Sequence, residues 1–63
     1  MKRRALLREL VKIAESKDLK LEFVRHGAGH DIYHLGHAVL IIGRHADIPE
    51  QTAKITLKTA RNG

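Results

Sequence analysis

The chain has 63 residues, five histidines, no cysteine, and twelve Lys and Arg against seven acids, for a formal charge of +5 and a pI near 10.1. A chain this short holds one core, so residues 1–63 read as a single domain, and without cysteine it has neither disulfide staples nor thiolate metal sites. No apolar run approaches the ~20 residues of a membrane-spanning helix.

The opening Met1-Lys2-Arg3-Arg4-Ala5-Leu6-Leu7 begins like a signal peptide, but Arg8 and Glu9 cut its apolar stretch and no small-residue cleavage site follows. The segment therefore reads as a helix, with Leu6, Leu7, Leu10, Ile13 and Ala14 on one stripe and an end near Ser16 to Asp18. A strand follows over Leu19-Lys20-Leu21-Glu22-Phe23-Val24-Arg25, where apolar Leu19, Leu21 and Phe23 alternate with charged Lys20 and Glu22. Gly27-Ala28-Gly29 is a flexible loop, His30 to His34 a second strand, Gly36 a turn, and Ala38-Val39-Leu40-Ile41-Ile42 a strongly apolar third strand. Two short strands so close in sequence pair as an antiparallel hairpin. After the connection Gly43-Arg44-His45-Ala46, Asp47 is the expected N-cap of a last helix, with Pro49 and Glu50 in its first turn. Ala53, Leu57 and Ala60 form its apolar face, Thr56 lies at the edge, Lys54, Lys58 and Arg61 crowd its second half, and Asn62-Gly63 closes it.

The order α-β-β-β-α predicts an α+β fold: a three-stranded antiparallel sheet with two amphipathic helices on one face. That is the architecture of the double-stranded-RNA-binding-domain-like folds. The opposite face stays open.

All five histidines, at 26, 30, 34, 37 and 45, fall within twenty residues. Metal binding is one meaning. However, His30 and His34 lie on one strand, about 13 Å apart at ~3.3 Å per residue, too far to share an ion. His34 and His37 flank a turn and can approach each other, but no Cys and no acid at a recognised spacing joins them, so no metal site is expected. For His26, His34 and His37 taken singly, an exposed position without a duty is the expectation. Catalysis is the third meaning. Imidazole titrates nearest neutrality and can both take and give a proton. RNA carries its own nucleophile, the 2′-hydroxyl beside each phosphate, so one positioned base with nearby cations suffices for slow cleavage. Composition does not say which histidine would act.

The stretch Arg25-His26-Gly27-Ala28-Gly29-His30-Asp31-Ile32-Tyr33 resembles the glycine-rich loop and following strand of HicA-family toxins. Ile42-Gly43-Arg44-His45 is similar to that family's motif at the end of its third strand. Asp47-Ile48-Pro49-Glu50-Gln51-Thr52-Ala53-Lys54-Ile55 looks like the opening of its last helix, and the likeness runs over almost the whole chain. Ala28 and Gly29 stand where the family usually has a serine-bearing loop, and Gly43 where it usually has proline.

The resemblance implies a cytoplasmic, metal-independent endoribonuclease that needs no cofactor, cleaves mRNA and is neutralised by a HicB-type antitoxin. It places the catalytic histidine at His30, and Gly27 and Gly29 in the loop that brings backbone close to RNA. Arg44 and His45 match a recurrent pair, in phosphate contact or in local structure. Lys2, Arg3, Arg25 and Arg44 are the candidate phosphate clamps, among which the sequence does not choose. By strand alternation Asp31 faces away from His30 and is poorly placed to orient it. The rival reading is a non-catalytic RNA-binding module of the same fold, recognising RNA by shape and phosphate. With only Phe23 and Tyr33 as aromatics, single-strand binding by stacking is disfavoured.

Overall fold

The structure, a computed structural model, describes residues 1–62; Gly63, expected to close the last helix, lies outside the described residues. Helix α1 spans Arg3–Ser16, strands β1, β2 and β3 span Leu21–His26, His30–Leu35 and Ala38–Gly43, and helix α2 spans Glu50–Asn62. The strands form one antiparallel sheet in the order β1-β2-β3, as expected.

Side-chain alternation builds the core. Leu35 on β2 and Ala38, Leu40 and Ile42 on β3 point to the covered face, where they meet Leu6, Leu10 and Ala14 of α1 and Ala53 and Ala60 of α2. The positions 6, 10 and 14 recur every fourth residue, which keeps them on one stripe of the helix. Leu7 and Ile13 flank that stripe, partly buried. On the other face Val39 and Ile41 are more than half exposed, so one side of the sheet is open.

The helix ends have local causes. At the end of α1 Asp18 adopts φ 57°, the Leu19 N–H donates to Ala14 O and the Asp18 N–H to Glu15 O. This is a Schellman arrangement that satisfies two terminal carbonyls, with an aspartate where glycine is usual. Leu19 and Lys20 are consumed in this exit, so β1 starts at Leu21, two residues later than the alternation suggests. The register also shifts between Phe23 and Arg25, a bulge around Val24. Phe23 stays about half exposed and packs its ring against Tyr33 at 5.5 Å and His26 at 4.9 Å.

The start of α2 differs from expectation. Asp47 does not cap it. The Arg3 N–H donates to Ala46 O and the Ile48 N–H to Met1 O, so residues 46–48 run extended beside the chain start, with Lys2 bridged to Asp47. Ile48, buried and followed by proline, is held out of helical geometry twice over. The helix therefore begins at Glu50, with the Ala53 N–H donating to Pro49 O. At the far end, Lys17 Nζ donates to Ala60 O at 2.9 Å and to Arg61 O, placing a cation on the C-terminal carbonyls of α2 and tying the two helices together.

Candidate nucleic-acid interface

The hairpin between β1 and β2 turns through Gly27-Ala28-Gly29, with Gly29 at φ +75° supplying the left-handed residue that a three-residue loop of this kind uses. The Gly27 N–H donates to His30 O at 2.7 Å and closes the loop. Gly27 has a second, steric role. A Cβ at this position would stand 2.7 Å from His30 Nε2, so the imidazole lies in space that only glycine leaves free. His30 is half-buried there, opposite Gly43 on β3.

One residue along, the alternation turns Asp31 to the covered face, away from His30, as the sequence indicates. It is 6% exposed, and a carboxylate so placed needs partners. Arg3 Nη2 donates to Oδ2 at 2.8 Å, and Arg44 Nε donates to Oδ1 at 3.0 Å. His26 Nδ1, across the ladder at a paired position, stands 2.7 Å from Oδ1. The hydrogen bond with His26 and that from Arg44 hold the Asp31 carboxyl below the ordinary carboxylate range, against the smaller opposing effect of desolvation.

The two arginines also brace the backbone around the loop. Arg3 Nε donates to Gly43 O at 2.8 Å. Arg44 Nη2 donates to Gly27 O at 2.6 Å, and the Arg44 N–H to Gly29 O at 3.3 Å. Arg44 therefore braces the loop, while 44% of its side chain stays exposed. Two guanidinium groups around one carboxylate still leave a net positive charge at this corner.

The start of α1 adds to that charge. Lys2, Arg3 and Arg4 line a depression of about 410 Å³ with Leu7 and Ala46. The first turn of α1 has no acidic residue. Cations at the positive end of a helix dipole are disfavoured by about 0.3–1 kcal/mol each at low salt, and such local violations are characteristic of functional surfaces. Lys2 is engaged with Asp47 at 3.0 Å, but 62% of its side chain is exposed.

Of the residues singled out in the sequence, His30, Gly27, Gly29, Arg3 and Arg44 converge at one end of the sheet, and Lys2 borders it. The side chains of Arg25 and His45 are exposed and make no hydrogen bond or ion pair among the described residues. The sequence reading left His26 without a duty; the structure gives it a carboxylate partner. Arg4 was also passed over, and its signal was its position at an acid-free helix start. Among the described residues no group of three or more His, Asp and Glu side chains is arranged to hold a metal ion, and no helix is long and apolar enough to cross a membrane. Compared with protein-family models, curated proteins and solved structures, the chain matches none.

Proposed function

We propose that this chain is a metal-independent endoribonuclease toxin of the HicA type, cleaving mRNA in the cytoplasm and neutralised by a HicB-type antitoxin. The observation that carries the reading is the seat of His30, an imidazole lodged against a glycine at the sheet end where cations outnumber carboxylates. In this reading His30 Nε2 accepts the proton of a ribose 2′-hydroxyl, and the freed oxygen attacks the adjacent phosphorus. The bond to the 5′-oxygen breaks and that oxygen takes up a proton from solvent water, leaving a 2′,3′-cyclic phosphate and a 5′-hydroxyl. The local positive field stabilises the charge that builds on the phosphoryl oxygens, and Lys2, Arg4 and Arg25 supply exposed cations for the RNA backbone.

The test is induction of the wild type and His30→Ala in bacteria at matched levels, with growth and mRNA integrity followed together. Arrest and mRNA loss with the wild type alone are expected. Intact mRNA with both proteins, alongside salt-sensitive RNA binding in vitro, would place the chain among non-catalytic RNA-binding modules.

A further inference from the structure

We infer that Phe23 and His26 form a platform on which a nucleobase of single-stranded RNA stacks, with Arg44 beside it to take that nucleotide's phosphate. The inference rests on the RNA reading above and deepens it, naming an unpaired strand as the substrate class.

Two aromatic residues are too few for a tract of stacked bases. The fold nevertheless brings both to one place. The antiparallel register pairs Phe23 with Tyr33 and His26 with Asp31, so all four side chains project from the helix-side face of the sheet. Phe23 meets Tyr33 edge-on, with ring centroids 5.5 Å apart, and meets His26 at a 59° tilt, with centroids 4.9 Å apart.

The helices do not roof this part of the sheet. Along β1 only Leu21 is even partly buried, and Phe23 is 49% exposed. A phenyl ring left this open keeps apolar surface in water that a stacked base would cover. The His26 side chain is 70% exposed, and its Nδ1 stands 2.7 Å from Asp31 Oδ1. That ring is therefore fixed at one edge while most of its surface stays open.

Charge selects a nucleotide over other flat ligands. The Asp31 oxygen that holds His26 also accepts from Arg44 Nε at 3.0 Å, so guanidinium and imidazole lie against one atom. With Arg3 on the second oxygen, the corner keeps a net positive charge. Open rings beside a fixed guanidinium suit a ligand that is flat at one end and anionic at the other. A base within a duplex is stacked on its neighbours, whereas an unpaired base is free to lie on a ring. His30 projects from the opposite face of the sheet, so the platform holds a nucleotide flanking the cleaved bond and not the reacting atoms.

Binding is measured in the whole chain carrying His30→Ala, so that RNA stays intact. The probes are hexaadenylate, an RNA duplex, and an inorganic polyphosphate of the same charge as hexaadenylate. Phe23→Leu and Phe23→Trp are added to this parent, with folding checked by circular dichroism and thermal melts. Phe23→Leu is expected to bind hexaadenylate about tenfold more weakly, the loss of one stacked base. It should bind polyphosphate and duplex as tightly as the parent. Phe23→Trp should bind hexaadenylate at least as tightly as the parent. The chain has no other tryptophan, and the emission of this one should be quenched by hexaadenylate but not by polyphosphate.

Equal affinity of Phe23→Leu and the parent for hexaadenylate would overturn the platform, as would tryptophan emission that RNA binding leaves unchanged. An equal loss on RNA and polyphosphate would do the same, since the ring would then only support the fold around Asp31. Each of these results leaves the ribonuclease reading to cleavage by the wild type, whereas a chain that neither binds RNA nor cuts it removes both.

Discussion

His30 and Gly27 occupy the same space: the imidazole Nε2 lies 2.7 Å from where a side chain at position 27 would begin. Since the clashing atom is the end of a side chain, Gly27→Ala does not force the backbone apart. The ring moves instead. On the proposed ribonuclease reading, the expected result is a variant of nearly unchanged melting temperature whose RNA cleavage falls at least tenfold, because a base displaced by about 1 Å loses its near-attack geometry. Gly29→Ala gives the contrast. There a Cβ meets nothing within 4 Å, but φ is +75°, so the cost is backbone strain of about 1 kcal/mol or more and falls on stability. Thermal melts and single-turnover rates on both variants separate the two glycines. Equal loss of stability in both would contradict the steric argument.

The fold was legible because its core obeys simple periods. Leu6, Leu10 and Ala14 announce a helix stripe, and Ala38, Leu40 and Ile42 a covered strand face, from spacing alone. Where the sequence reading went astray, a contact distant in sequence intervened. Asp47 has the chemistry of an N-cap, but strand-like pairing with the chain start holds residues 46–48 extended and moves the helix start to Glu50. The site was half legible. Alternation along β2 places Asp31 opposite to His30, yet it does not reveal what Asp31 faces. Its partners come from α1, β1 and the segment after β3, at separations of 28, 5 and 13 residues. Only the antiparallel register, His26 against Asp31, brings that histidine to the carboxylate.

Arg3 and Arg44 hold the same carboxylate but brace different parts of the chain. Arg3, 23% exposed, joins α1 to Asp31 and to Gly43 O. Arg3→Ala is expected to lose about 1.5–3 kcal/mol, the range for hydrogen bonds to a charged group, read as a lower urea midpoint with unchanged slope. Arg44 is more exposed, and its extra bonds go to Gly27 O and Gly29 O. Arg44→Ala should cost less global stability and loosen the loop, seen as faster amide hydrogen exchange at Gly27 and at position 44. Equal destabilisation by both would remove the distinction.

Leu10 tests the core. It is fully buried among α1, the sheet and α2, and a Leu→Ala truncation in such a place costs about 2–5 kcal/mol. At roughly 0.05–0.15 kcal/mol per residue, a fold of this length has only about 3–9 kcal/mol in total. Leu10→Ala should therefore remove a large share, roughly half at mid-range, of the total stability, and a heat or urea melt measures it. A loss under 1 kcal/mol would show that α1 is not packed as described.

Asp31 sets a pH dependence whose sign follows from its environment. Its hydrogen bond with His26 and that from Arg44 lower its pKa in the folded state, so the unfolded chain binds the proton more readily. The stability it contributes is fully present above the unfolded value of about 3.9 and is lost as pH falls through the lower folded value. Wild-type stability should therefore decline with acid below about pH 4, and Asp31→Asn, which has no carboxylate to protonate, should show a shallower decline. The variant should also be less stable than the wild type at pH 7, since Arg3 and Arg44 then face a neutral group. Urea melts of both proteins between pH 2.5 and 7 measure the two slopes. Parallel curves across that range would mean that Asp31 binds its proton equally well folded and unfolded, and that the triad of partners around it does not hold in solution.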